Sequence, residues 1–241
     1  SRDFGASWRT LQSDIPAGAQ RVSVDPASPA GNRTVYVIGA EGVTEVAAGK
    51  LTTRPAPEKL SDVSAGFSQG GKMVVYGVSG TAVLVSTDRG ATWNVQKPAR
   101  RLVAVATSIA HPETAYASYA GLMEGGAAYH GVFKTTDSGA TWAPVWKESR
   151  EKSPAVDDGW LSDRFGTDWG ENPINLGVSP MDPNLAYGTD FGRSLRTTDG
   201  GRTWRAAYSK KLGEGWTTTG LDVTTNYGIH FDPFDPQHVF I

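Results

Sequence analysis

One eight-residue pattern, Ser/Thr-x-Asp-x-Gly-x-Thr/Ser-Trp, recurs along the chain and constrains its fold more than any other feature. It runs from Ser1 to Trp8, from Ser86 to Trp93, from Thr135 to Trp142 and from Thr197 to Trp204. Each copy has the makings of a tight strand-to-strand corner. The Asp side chain accepts bonds from nearby backbone N–H groups, Gly opens the backbone, and Trp packs its ring over the turn. On this reading Asp3, Asp88, Asp137 and Asp199 are structural rather than catalytic.

A second phrase recurs between the corners: an apolar run, a proline turn, and another apolar run. Examples are Val22-Ser23-Val24-Asp25-Pro26 before Val35-Tyr36-Val37, and Ile109-Ala110-His111-Pro112 before Ala115-Tyr116-Ala117. Further copies are Leu176-Gly177-Val178-Ser179-Pro180 before Leu185-Ala186-Tyr187, and Ile229-His230-Phe231-Asp232-Pro233 before Val239-Phe240-Ile241. Each reads as a hairpin. With the strands entering and leaving the corner, every unit makes four antiparallel strands that bury their faces only against neighbouring units. The expected fold is all-β, a β-propeller of four-stranded antiparallel blades. The interval from Asp3 to Asp88 is long enough for two units. A blade without the corner fills it, with strands near Arg21 to Val24, Thr34 to Gly39 and Gly42 to Val46 and a plain turn at Ala48-Gly49-Lys50.

The resulting division is the last strand of a partial blade over 1–12, a corner-less blade over 17–58, and blades over 59–98 and 99–147. An inserted loop follows over 148–173, then a blade over 174–208, a loop over 209–228, and the first strands of another blade over 229–241. Opening at a corner and ending after a second strand, the chain is expected to be a segment of a larger propeller.

Composition agrees with a turn-rich β protein: 29 glycines, 14 prolines and 8 tryptophans among 241 residues. A formal charge of −2 gives no field to attract a nucleic acid or an anionic membrane. No apolar run approaches the roughly 18 residues of a membrane span. The chain has no cysteine, which excludes disulfides and thiolate metal sites and is compatible with the periplasm; the expected setting is secreted or periplasmic. The four histidines show no metal-ligand spacing, and neither a metal nor a cofactor is expected. His111 and His238 read as turn residues, and His130 falls in an insertion from Gly121 to His130. The mixed-charge run from Lys147 to Lys152 reads as a solvated loop margin.

The corners and proline hairpins resemble the Asp-box (bacterial neuraminidase repeat) proteins, which include sialidases, xyloglucanase-type glycoside hydrolases, sortilin-type receptors and a photosystem assembly factor. The resemblance covers nearly the whole chain and speaks to fold rather than activity. Within it, Tyr187-Gly188-Thr189-Asp190-Phe191-Gly192-Arg193-Ser194-Leu195-Arg196 looks like the xyloglucanase-type phrase Thr-Asp-x-Gly-Gly-x-Tyr-Arg, whose Asp is a catalytic carboxylate. It departs at Arg193 and Leu195, where that phrase has Gly and an aromatic residue. The resemblance implies a catalytic role for Asp190, set against the alternative of a turn-capping Asp.

In a propeller the turns between second and third strands share a rim with the blade-to-blade connections, opposite the Asp corners. Asp190 and Glu41 fall in such turns. The two long connections carry Trp160, Asp163, Arg164, Phe165, Asp168, Trp169, Trp216, Asp222 and Tyr227, a mixture of rings and carboxylates suited to sugars. Glycoside hydrolysis needs two carboxyl groups, about 5–5.5 Å apart for retention or about 6.5–9.5 Å for inversion. Asp190 is one candidate, and Asp222 or Asp168 its partner. Trp160, Asp168, Trp169, Arg193, Trp216, Tyr227 and His230 are candidate contacts to a poly- or oligosaccharide. A sialidase would need three clustered arginines, of which only Arg164 and Arg193 offer themselves. Two functional readings follow: a glycoside hydrolase-like propeller acting on or binding a β-glucan or xyloglucan, and a non-catalytic sortilin-like or assembly-factor-like propeller that binds protein.

Overall fold

The computed structural model describes residues 3, 5–10, 14–149, 155–157, 172–190, 192–221, 226, 228–232, 235 and 238–241. Among them every regular element is a strand. The first sheet holds β1 (Ala19–Val24), β2 (Val35–Gly39), β3 (Gly42–Ala47) and β4 (Lys50–Pro55). The second holds β5 (Asp62–Phe67), β6 (Met73–Val78), β7 (Val83–Ser86) and β8 (Asn94–Gln96). The third holds β9 (Arg101–Thr107), β10 (Ala115–Glu124), β11 (Ala127–Thr135) and β12 (Ala143–Glu148). All three are antiparallel meanders.

The fourth sheet holds β13 (Val156–Asp157), β14 (Asn175–Val178), β15 (Ala186–Thr189), β16 (Ser194–Thr197) and β17 (Trp204–Ala206). Here β14 to β17 form the meander, and β13 adds in parallel outside β17. A hairpin of β18 (Ser209–Leu212) and β19 (Gly215–Thr218) follows, then the pair β20 (His230–Phe231) and β21 (Val239–Phe240). The first strands of successive sheets, β1, β5, β9, β14 and β20, touch in that order. The fold is a β-propeller drawn as an arc of sheets that is not closed.

The core consists of seams between sheets. Tyr36, Ile38 and Val43 of the first sheet pack on Val63, Val75 and Leu84 of the second. Val74, Tyr76 and Val85 of the second meet Val105, Ala117 and Phe133 of the third. Tyr116, Val132 and Trp146 of the third meet Val178, Leu195 and Trp204 of the fourth. Successive side chains of a strand point to opposite faces, so β6, covered on both sides, is buried along its whole length and carries no charged residue. A side chain at Gly77 would collide with Leu60, which fixes how closely the strand is approached.

The corners close with the hydrogen bonds that their sequence implies. Asp137 Oδ1 accepts the Thr141 N–H at 2.9 Å and the Thr135 hydroxyl at 2.7 Å, while Oδ2 accepts the Thr141 hydroxyl at 2.6 Å. Asp88 and Asp199 repeat this arrangement with Ser86 and Thr92, and with Thr197 and Thr203. At Asp3 the partner is Ser7. The corner tryptophans do more than cover their own turns: Trp142 and Trp204 set their edges against Tyr76 and Tyr116 of the preceding sheet. The corner is therefore a clasp between sheets as well as a turn.

Three stretches differ from the reading of the sequence. Residues 3 and 5–10 contain no strand. The stretch expected as a loop over 209–228 contains the β18–β19 hairpin, whose short strands carry exposed Lys210 and Lys211 and no apolar run. The expected insertion from Gly121 to His130 is a continuation of β10 and β11, turned at Gly125-Gly126, both with positive φ.

Candidate functional site

Asp190 follows β15 and starts the turn into β16. Its Oδ1 accepts the N–H groups of Gly192 and Arg193 at 2.9 and 2.6 Å, and its own N–H reaches the Arg193 carbonyl. The short Asp side chain thus caps its own turn. Its Oδ2 accepts the Arg193 Nε–H at 2.8 Å.

Arg193 extends this turn into a buried ion cluster. Its two terminal nitrogens donate to both oxygens of Glu148, at the end of β12 in the third sheet, at 3.0 and 2.8 Å. The guanidinium lies over the Trp146 ring, 5.4 Å from its centre, and Trp146 Nε1–H donates to Glu148 Oε2 at 2.7 Å. Asp190 is 2% exposed and Arg193 fully buried. Burial pushes the Glu148 carboxyl up, but the adjacent His130 and the Arg193 guanidinium outweigh it and hold the pKa at about 2. His130 Nε2 lies 3.5 Å from Glu148 Oε2, too long for a good hydrogen bond, so its influence is that of a nearby polar ring.

Chemically, the cluster holds rather than reacts. Both carboxylates have both oxygens engaged, and the cation between them cannot give up its proton. A planar fork gripping two carboxylates across two sheets fixes the β15–β16 turn against β12.

Of the other candidate residues, the described ones, Trp216 and His230, do not gather here. Trp216 on β19 is half-buried and lines a groove of about 960 Å³ along the fourth sheet, with Tyr187, Arg196, Arg205, Lys211 and Ile241. His230 is exposed on β20 opposite Phe240. Neither Asp190 nor Arg193 reaches the groove. Asp222, Trp160, Asp168, Trp169 and Tyr227 lie outside the described residues, as do Asp163, Arg164 and Phe165. Glu41 sits exposed in the β2–β3 turn. His111 and His238 lie in turns, each beside acidic groups: Glu113, and Asp232 with Asp235.

The partner that sequence reasoning missed is Glu148. The run from Lys147 was expected to be solvated, yet Glu148 and Ser149 are buried. The correction has a simple cause: an arginine from the next sheet supplies the counter-charge that makes burial tolerable. The available signal was strand period, because Trp146 and Glu148 stand two apart on one face of β12. Among the described residues no group of three His, Cys, Asp or Glu side chains could hold a metal ion, and no helix is long and apolar enough to cross a membrane.

No protein-family model matches the sequence, and comparison with curated proteins yields no match. Solved structures do resemble it. YCF48 from Cyanidioschyzon merolae aligns at 15% identity over 96% of this chain and 70% of its own, with a TM-score of 0.53. An ancestral GH74 enzyme aligns at 13% identity over 94% of this chain, with the same TM-score. The chain spans 34% of that enzyme's length. The Swd1 β-propeller domain from Myceliophteria thermophila aligns at 12% identity over 83% of this chain and 56% of its own, with a TM-score of 0.48. At these identities the likeness is one of fold: this chain is similar in architecture to β-propellers that include both a GH74 enzyme and YCF48.

Proposed function

We propose that this chain is part of an Asp-box propeller that binds a protein ligand without hydrolysing a glycan at Asp190. The observation that carries this reading is the state of the Asp190 carboxylate. A glycosidase acid or base must touch the glycosidic oxygen or a water beside it. Here both oxygens are occupied by the turn and by Arg193, and the group is shielded from solvent. Its nearest acidic neighbour through Arg193, Glu148, is locked in the same ion cluster rather than set across an open cleft.

The extended β10–β11 hairpin supports a protein ligand. It overruns its sheet, ends in a Gly125-Gly126 turn and presents exposed Met123, an adaptable side chain suited to protein contact. Its tip is held by Lys147, which pairs with Glu124 and lies over the Tyr129 ring. A secreted or periplasmic setting, compatible with the absence of cysteine, accompanies this reading.

The test is hydrolysis of xyloglucan and of a mixed-linkage β-glucan by the chain and by Asp190→Asn. Neither protein is expected to release reducing ends, and migration through gels containing either glucan is expected to be unretarded. Turnover by the unmodified chain that Asp190→Asn abolishes would return Asp190 to a catalytic role. Retardation without turnover would keep the binding reading and replace protein by polysaccharide.

A further inference from the structure

The meanders end in the outer strands β4, β8, β12 and β17, and β17 shows how such an edge is used. β13 runs parallel to it, with Val156 opposite Trp204 and Asp157 opposite Arg205. The Trp204 N–H donates to the Ala155 carbonyl at 2.8 Å, and Val156 packs against the cluster that holds Trp204. Under this short added strand Trp204 is fully buried, and its Nε1–H donates to the Val145 carbonyl at 3.2 Å.

The second sheet presents the same edge without the added strand. Trp93 stands where Trp204 does, closing the corner and leading into the outer strand, but it is half-buried. Its backbone N–H has no backbone partner among the described residues, and its Nε1–H is enclosed without a hydrogen bond. Alternate residues of an edge strand turn their N–H groups outward, so Val95 continues the open row that Trp93 begins. Val95 is 38% exposed, whereas Ala206, its counterpart on β17, packs into the cluster that Val156 joins.

The other outer strands are guarded. β4 carries Lys50, Arg54 and Pro55, and β12 carries Pro144 and Lys147, residues that repel or interrupt an added strand. Trp142 also has an unpaired Nε1–H, but two positions on Pro144 offers no N–H to extend the row. β8, Asn94-Val95-Gln96, has neither charge nor proline. It lies inside the arc, in a sheet packed against the first sheet on one face and the third on the other.

We infer that the β8 edge at Trp93 and Val95 is a docking site for an extended segment of a protein partner, added parallel to β8 as β13 is to β17. The inference rests on the protein-ligand reading and gives that ligand a mode of binding. A partner carbonyl takes the Trp93 N–H, and a β-branched residue in the place of Val156 covers Trp93 and Val95. The residue after it stands opposite Asn94, where β17 has Arg205 paired with Asp157 at 3.9 Å. A neutral hydrogen-bonding side chain therefore suits that position better than an acid. Backbone bonds supply the attachment and the one covered side chain supplies selectivity.

The probe is a blocked peptide with the sequence of Ser153–Asp158 bearing Asp157→Asn, titrated into the isotope-labelled chain and followed by NMR of backbone and indole N–H groups. It is carried to about 5 mM, because a short flexible segment loses much of its binding energy to ordering. The Trp93 and Val95 amide signals and the Trp93 indole signal are expected to shift. The same peptide N-methylated along its backbone keeps the side chains without the strand hydrogen bonds, and is expected to leave those signals unmoved. Val95→Pro, acceptable on an edge because the N–H it removes points outward, is expected to weaken the peptide at least about tenfold. Should the proline variant not fold, Val95→Lys, which adds a guarding charge, is expected to do the same. No shift at any residue, or equal shifts with the N-methylated peptide, overturns the inference. Shifts confined to the β10–β11 hairpin overturn it while keeping a protein ligand, and failure of that broader reading shows instead as turnover or retardation with the glucans. Broadening of the Trp93 and Val95 signals with protein concentration alone gives the edge to a second copy and overturns the assignment to a partner.

Discussion

Arg193 separates two meanings of a carboxylate in a propeller turn. Through it, the buried Asp190 and Glu148 become two anions gripping one cation. Removing one member of a buried ion pair leaves an uncompensated charge and typically costs about 3–5 kcal/mol. Arg193→Ala is therefore expected to lose stability of that order in urea titrations, and Arg193→Lys most of it, because an ammonium cannot fork to both carboxylates. The cluster also has an acid limit. Glu148 is held at about 2 when folded, below its ordinary 4.5, so its contribution is complete above the unfolded value and disappears as pH falls toward the folded one. The Thr141 hydroxyl and N–H hold Asp137 at about 2. At Asp199 burial pushes the pKa up, but the Thr203 N–H and hydroxyl still bring it to about 2. Both act in the same direction. Stability measured from pH 5 to pH 2 is expected to fall throughout that window, and less steeply in Glu148→Gln.

At the scale of the strand and its turn, the corners carry a backbone requirement that can be separated from a packing one. Gly49 in the β3–β4 turn and Gly139 in the third corner have nearly the same positive φ, +78° and +79°. A Cβ at Gly49 meets nothing within 4 Å, whereas at Gly139 it would stand 2.5 Å from Val85 of the preceding sheet. Gly49→Ala is expected to cost about 1 kcal/mol, the penalty for a left-handed residue. Gly139→Ala is expected to cost about 2–4 kcal/mol because the seam must also open, as shown by comparing the two unfolding midpoints. These elements were legible in the sequence for a physical reason. A corner is local chemistry within eight residues, and a proline hairpin is local too, so both repeat visibly. The β18–β19 hairpin was not legible, since Lys210, Lys211 and Thr217 present no apolar face. The partnership of Arg193 with Glu148 was not legible either. It joins residues on different sheets, and only the docking of one sheet on the next brings an acid from β12 under a turn after β15. That Asp190 sits in the turn after β15 was readable from its motif, whereas its burial beside Arg193 was not.

Among the described residues the sheets form a stack in which each leans chiefly on its neighbours. In such a one-dimensional array stability is a sum of sheet and seam contributions, and the ends have one seam fewer. β6 in the second sheet is buried throughout, whereas β1 is exposed over most of its length and β20–β21 is a sheet of two strands. Amide hydrogen exchange is expected to be slowest in the second and third sheets and fastest in β1, β20 and β21, with protection decreasing outward from the centre. Uniform protection across all sheets would point instead to a closed and fully cooperative ring. The outer margins differ as well. β4 ends its sheet with Lys50, Arg54 and Pro55, residues that discourage further pairing. On the fourth sheet β13 lies alongside β17, and the Ala155 carbonyl takes the Trp204 N–H. The short β13 thereby takes up the part of the β17 edge at Trp204 and Arg205 that an incoming strand from a misfolded neighbour would otherwise reach first.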